Sequence, residues 1–139
     1  MVHGTVPFAV PAEVAFDYLA DPENRAEWQS SLRRVEDVVG EVAVGQTWTD
    51  VTKPGLRAAM RTTVLDRPTR WAESGTWRFV RADLELVLEP DGAGCRAAVR
   101  FRITGRGPMR LVGLALSAVS LPAVLADVRR AARLLADRA

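Results

Sequence analysis

The chain has 139 residues, of which 48% are hydrophobic and 26% charged, with one cysteine and a net charge of +2. That length gives room for one real core, and the composition excludes disorder, collagen-like repeats and a disulfide scaffold. Lys53 is the only lysine, so almost all the positive charge is arginine, spread over several segments and interleaved with acids rather than gathered with stacking aromatics, which argues against nucleic acid as a partner.

Residues Val2 to Val10 alternate, with Val2, Val6, Phe8 and Val10 on one face, and predict a first strand. Pro7 cannot donate to a ladder, so that strand belongs at an edge or is bulged there. Pro11 opens a helix with an apolar stripe of Val14, Ala15, Tyr18 and Leu19. Asp21-Pro22, a cap followed by a first-turn proline, restarts the chain as a short second helix through about Gln29, with Trp28 near its end. From Leu32 to Thr104 the pattern becomes short strands between turn residues: Leu32–Val39, Thr47–Thr52, Leu56–Leu65, Arg70–Ser74, Val80–Glu89 and Cys95–Thr104. In the last two, Ala82, Leu84, Leu86 and Leu88 oppose Asp83, Glu85 and Glu89, while Cys95, Ala97, Val99, Phe101 and Ile103 oppose Arg96, Arg100 and Arg102. One dry face and one wet face mark an antiparallel sheet, and the acidic and arginine outer faces suit cross-strand pairing.

After the break at Gly105 to Pro108 a long helix runs to the C-terminus, with an inner stripe of Leu114, Ala118, Leu121, Leu125, Val128, Ala132 and Leu135. Leu111 to Ala126 carries no charge but is short of the roughly twenty residues a membrane span needs, and Pro122 interrupts it. Val112, Leu116, Val119 and Ala123 lie opposite the inner stripe. This apolar outer patch predicts a homodimer, a transient membrane contact or an overhanging loop that covers it. A lone long helix after a one-face-dry sheet buries its stripe only if the sheet grips it, and a curved sheet around one helix leaves space for a ligand.

With these elements in place the chain resembles the START-like, helix-grip superfamily of polyketide cyclase/dehydrase and lipid-transport proteins (SRPBCC). The residues that carry the likeness are Val10-Pro11-Ala12-Glu13-Val14-Ala15-Phe16-Asp17-Tyr18-Leu19-Ala20-Asp21-Pro22-Glu23-Asn24, Trp28, Val44-Gly45-Gln46-Thr47-Trp48, Leu88-Glu89-Pro90 and the terminal helix. The resemblance covers essentially the whole chain. It implies an α+β helix-grip fold, about seven antiparallel strands around a long C-terminal helix with two short helices after the first strand, forming one START-like ligand-binding domain over residues 1–139. It fits several activities, because this fold hosts carriers, hydrolases and aromatase/cyclases alike.

The residues narrow the chemistry further. A single histidine, His3, on the wet side of the first strand, leaves no multi-histidine metal site and no serine-histidine-acid triad with a spare base. Gly105-Arg106-Gly107-Pro108 lacks the lysine-serine ending of a phosphate loop. No metal or cofactor is expected, and no catalytic residue is assigned. Cys95 is read as a small buried hydrophobe in a reducing cytoplasm, and no signal peptide is visible at the N-terminus.

Inward polar groups are the sharper evidence. Trp48, Asp50 and Thr52 share one strand face, and Trp71 and Glu73 share another, so tryptophans that face a cavity bring the two carboxylates with them. There the acids would have raised pKa values and could hydrogen-bond a ligand hydroxyl, move a proton or hold a cavity arginine. The alternative is a bulge that turns them outward onto Arg57, Arg61 or Arg70. Trp28 is read as core, Trp77 as a rim residue, Met60 as an adaptable wall, Met109 as a gate residue, and Tyr18 as either a ligand contact or a capped core tyrosine. The candidate ligand-binding set is Tyr18, Trp48, Asp50, Met60, Trp71, Glu73, Trp77, Leu84, Leu86, Phe101, Met109, Leu114 and Ser117. The expected function is binding of a hydrophobic small molecule (a polyketide, lipid, isoprenoid or aromatic compound). The alternatives are a polyketide aromatase/cyclase or dehydratase, and an accessory or stress-type protein that acts through its surface or a dimer interface.

Overall fold

The computed structural model describes residues 2–105, 107 and 110–139, without the side chains of 111, 112, 114, 115 and 117–119. Met109, Leu114 and Ser117 of the candidate ligand set, and Val112 and Val119 of the outer patch, therefore lie outside the described residues or side chains. The order is β1 (Val2–Phe8), α1 (Ala12–Ala20), one turn of 3-10 helix (Pro22–Asn24), α2 (Arg25–Trp28), β2 (Leu32–Val39), β3 (Thr47–Thr52), β4 (Arg57–Asp66), β5 (Arg70–Trp77), β6 (Val80–Asp91), β7 (Gly94–Gly105) and α3 (Arg110–Arg138). The strands form one antiparallel sheet in the order β1-β7-β6-β5-β4-β3-β2. β1 is an edge strand, the position that Pro7 requires. The helix-grip reading holds: seven strands, two short helices after the first, and one long helix against the sheet.

The differences from the sequence reading are local. β5 continues through Gly75 and Thr76 to Trp77, where a turn was expected, and the turn is instead Arg78-Phe79. Gly75 lies opposite Met60, and a Cβ there would stand 2.5 Å from the Met60 sulfur, so this glycine admits a neighbouring side chain rather than reversing the chain. Arg78 takes φ +54° and Asp37, in the bulged stretch of β2, also φ +54°, a region that costs an ordinary residue some strain. The β6–β7 turn shortens to Gly92-Ala93, with Gly92 at φ +61°.

The inner face of the sheet splits along its length. At one end Val6, Phe8, Leu86, Leu88, Cys95, Ala97 and Val99 pack with Ala15, Phe16 and Leu19 of α1 and Val128, Ala131 and Leu135 of α3 into one buried cluster. Each large side chain so buried stabilises the fold by about 1.5–3 kcal/mol. The α3 stripe is centred on Val128, Ala131 and Leu135, with Leu125 and Ala132 only partly buried and Leu121 half-buried, a slight rotation from the expected line. Leu125 sits over Gly4, where a Cβ would come within 2.7 Å of it. On the outer face Asp83, Glu85 and Glu89 stand opposite Arg102, Arg100 and Arg96. Glu85 draws in both Arg100 at 3.7 Å and Arg70 at 2.7 Å. Leu116 and Ala123 of the outer patch are exposed. Among the described residues no helix is long and apolar enough to cross a membrane.

Candidate functional site: a cavity with a buried ion cluster

Toward the other end of the sheet a cavity of about 250 Å³ remains on the inner face. Val80, Ala82 and Leu84 of β6, Phe101 of β7 and Val124 of α3 form one apolar side, and Trp28, Leu32, Ala58 and Met60 form another. Trp77, 38% exposed, stands at the rim beside Thr76. Arg25, Gln29, Asp50 and Glu73 supply the deep polarity, with Ser31, Thr52 and Asp127 completing the lining.

Alternation explains the two carboxylates. On β3, Trp48 and Asp50 face the same way, and the Trp48 indole Nε1–H donates to Asp50 Oδ1 at 3.0 Å. On β5, Trp71 and Glu73 alternate inward; the only slip beside them is on β4, between Thr62 and Val64, which leaves β5 itself regular. The outward partners are engaged elsewhere: Arg57 pairs with Glu36 at 2.6 Å and Arg70 with Glu85.

The partner of both acids is Arg25, the first residue of α2 and 1% exposed. Its Nε–H donates to Asp50 Oδ1 at 3.0 Å and its Nη2–H to Asp50 Oδ2 at 2.6 Å, a bidentate pair, while an Nη1–H donates to Glu73 Oε2. The Gln29 amide oxygen, oriented by this network, accepts from Nη2 at 3.1 Å and Nη1 at 3.2 Å. The guanidinium carries five N–H groups, so it is saturated. It also lies 5.0 Å from the centroid of the Trp48 ring, a cation–π contact. Burial alone works against the charge on Arg25, but Glu73 and Asp50 overcome it and raise its pKa. Burial is also the largest effect on Glu73; Arg25 offsets it only in part, Asp50 adds to it, and the carboxyl pKa is raised above the ordinary glutamate value.

Of the candidate set, the structure brings Asp50, Met60, Glu73, Trp77, Leu84 and Phe101 together on the cavity. Trp48 stands behind them, bonded to Asp50 and stacked on Arg25. Trp71 and Leu86, 1% and 0% exposed, belong to the packed cluster at the far end. Tyr18 is also in that cluster, and its hydroxyl donates to Glu27 Oε1 at 2.8 Å under the Arg138 guanidinium, the capped-core geometry. Trp28 is core as expected, yet it lines the cavity as well, and its indole Nε1–H has no partner among the described residues.

Sequence reasoning missed Arg25, Gln29 and Asp127. A signal for Arg25 was present: it precedes Trp28 by one helical turn, hence on the same face, and two inward acids demand a cation. α2 is a single turn and holds its place through other elements. Arg130 Nε donates to the Glu27 carbonyl at 2.8 Å, and Asp127 Oδ1 accepts from the Ser30 backbone N–H at 3.2 Å and its hydroxyl at 2.8 Å. Among the described residues no cluster of His, Cys, Asp and Glu could hold a metal ion. Cys95 is buried in the core, and burial pushes its thiol pKa up.

A gripped helix, a curved sheet and a cavity between them define a ligand-binding type of fold. The chain belongs to the polyketide cyclase/dehydrase and lipid transport family, whose model matches residues 1–139. Several solved structures share the fold. Protein MLL2253 from Mesorhizobium loti has a TM-score of 0.72 at 15% identity, with 99% of this chain and 96% of that one covered. The di-domain ARO/CYC StfQ from the steffimycin biosynthetic pathway has a TM-score of 0.77 at 14% identity; 99% of this chain corresponds to 50% of StfQ. Ara h 8.0201 has a TM-score of 0.74 at 12% identity, with 97% of both chains covered. No match to a curated protein sequence was found.

Proposed function

We propose that this chain is one ligand-binding domain that takes a hydrophobic small molecule (a polyketide, lipid, isoprenoid or aromatic compound) into the cavity beneath Trp77. The observation that carries this reading is the cavity itself: apolar walls from Trp28, Met60, Leu84, Phe101 and Val124 above a few fixed polar groups, the usual make-up of a small-molecule site. Its volume of about 250 Å³ is at the small end for such sites, which favours a compact ring system over a long acyl chain. The family's description and the likeness to a di-domain ARO/CYC support the same ligand class. The test is a filling substitution. Ala82→Phe places a ring in the cavity and is expected to weaken binding of a neutral aromatic such as naphthalene by about tenfold or more, with an unchanged circular dichroism spectrum. Retained affinity in the filled variant places the ligand elsewhere.

The second reading, a cyclase or dehydratase, is favoured by Glu73. A buried carboxyl with a raised pKa inside an apolar cavity is equipped to give or take a proton from a bound polyketone. Glu73→Gln separates the two: an enzyme loses turnover and keeps binding, whereas a carrier has no turnover to lose.

A further inference from the structure

The cavity's charges are lopsided. Arg25 is the only cationic side chain among the described lining residues, against Asp50, Glu73 and Asp127. Arg25 is not available to a ligand, since Asp50, Glu73 and Gln29 occupy all five of its N–H groups and the indole of Trp48 lies against its face. Arg78, stacked 5.0 Å from the Trp77 ring, is outside the lining set. With Glu73 ionised the Arg25 cluster carries a net negative charge. With Glu73 protonated it is neutral, and in neither state is a cation left unpaired.

An acceptor nevertheless remains open. Among the described residues Glu73 Oε1 takes part in no hydrogen bond, since Arg25 uses Oε2. A ligand hydroxyl can give its proton to that carboxylate oxygen, whereas a ligand carboxylate can only accept. A ligand carboxylate would enter a site that already holds excess negative charge, with no unpaired cation among the described lining residues to meet it, and a buried unpaired charge is costly.

We infer that the cavity selects neutral, hydroxyl-bearing aromatic ligands and rejects carboxylates, with the open carboxylate oxygen of Glu73 as the selecting group. This inference rests on the reading of the cavity as a binding site. The experiment titrates the intact protein by calorimetry near neutral pH with three probes of one ring frame: naphthalene, a naphthol and the naphthoic acid substituted at the same position. The naphthol is expected to bind at least about tenfold more tightly than the naphthoate and several-fold more tightly than naphthalene. Glu73→Gln, which keeps the shape and removes the charge, is expected to bring naphthoate affinity up and shrink the ratio.

Equal or tighter binding of the naphthoate by the wild-type protein overturns the selection while leaving the binding site standing, and equal affinity for naphthol and naphthalene overturns the hydroxyl part. If none of the three binds, the binding-site reading fails and this inference with it. The wild-type ratios decide the matter even if a variant does not fold.

Discussion

Arg25 is a residue whose removal cannot be neutral. It has two buried carboxylates as partners, so Arg25→Ala leaves both without their cation. The expected loss is about 3–5 kcal/mol, measured by urea denaturation. Replacing all three together, Arg25→Met with Asp50→Leu and Glu73→Leu, is expected to recover most of that loss, because apolar groups of similar volume need no compensation. Arg25→Lys does not substitute either: an ammonium cannot reproduce the bidentate bond to Asp50 together with the bond to Glu73. Tyr18 makes a second prediction at this scale. It is the only tyrosine, so phenolate absorbance reports on it alone. Burial and the hydrogen bond to Glu27 push its pKa from 10.0 up to about 12. The folded value is raised, so the linked stability is fully present below pH 10.0 and is lost as pH rises through about 12. The phenolate titration is expected near the upper value in the folded protein and near the lower one in urea, and Tyr18→Phe removes that part of the alkaline destabilisation.

At the scale of elements, two glycines separate flexible from rigid packing. A Cβ at Gly94 would collide with the Phe8 carbonyl, part of the fixed backbone, whereas one at Gly75 meets the end of the Met60 side chain. Gly94→Ala is therefore expected to cost about 1–3 kcal/mol in urea denaturation, and Gly75→Ala less, with Met60 displaced. The same contrast explains what the sequence made legible. The two-residue alternation of β6 and β7 and the turn residues between strands identify faces and order, because those signals are local and repeat several times. The end of β5 was not legible, because Gly75 has the same signature whether it turns the chain or admits Met60. The packed state of Trp71 and Leu86, against the cavity-facing Glu73 and Leu84, was hidden for another reason. Alternation gives the side of a sheet but not which positions along a strand are packed and which line a cavity. Arg25 escaped because a single helical turn carries almost no periodicity, and α2 is fixed by Glu27 and Ser30 contacts to Arg130 and Asp127, about a hundred residues away.

For the whole molecule, the division of the inner face into a packed end and a hollow end sets where stability and binding reside. The packed cluster joins β1, α1, α2, β5, β6, β7 and the second half of α3, while the cavity adds residues from β2, β3 and β4. A ligand that binds only the folded state stabilises it by mass action. At a hundred times its dissociation constant the gain is about 2.7 kcal/mol, so naphthol at that excess is expected to raise the urea midpoint correspondingly. A midpoint that stays put under those conditions shows that no such complex forms. Arg25, Asp50, Glu73 and Asp127 come from four elements spread from the first quarter of the chain to the last. No contiguous fragment holds even the three members of the Arg25 cluster without carrying half of the sheet. Affinity for a ligand is thus a property the chain acquires only on complete assembly, and occupancy of the cavity is a direct reading of how much of the population has reached the native state.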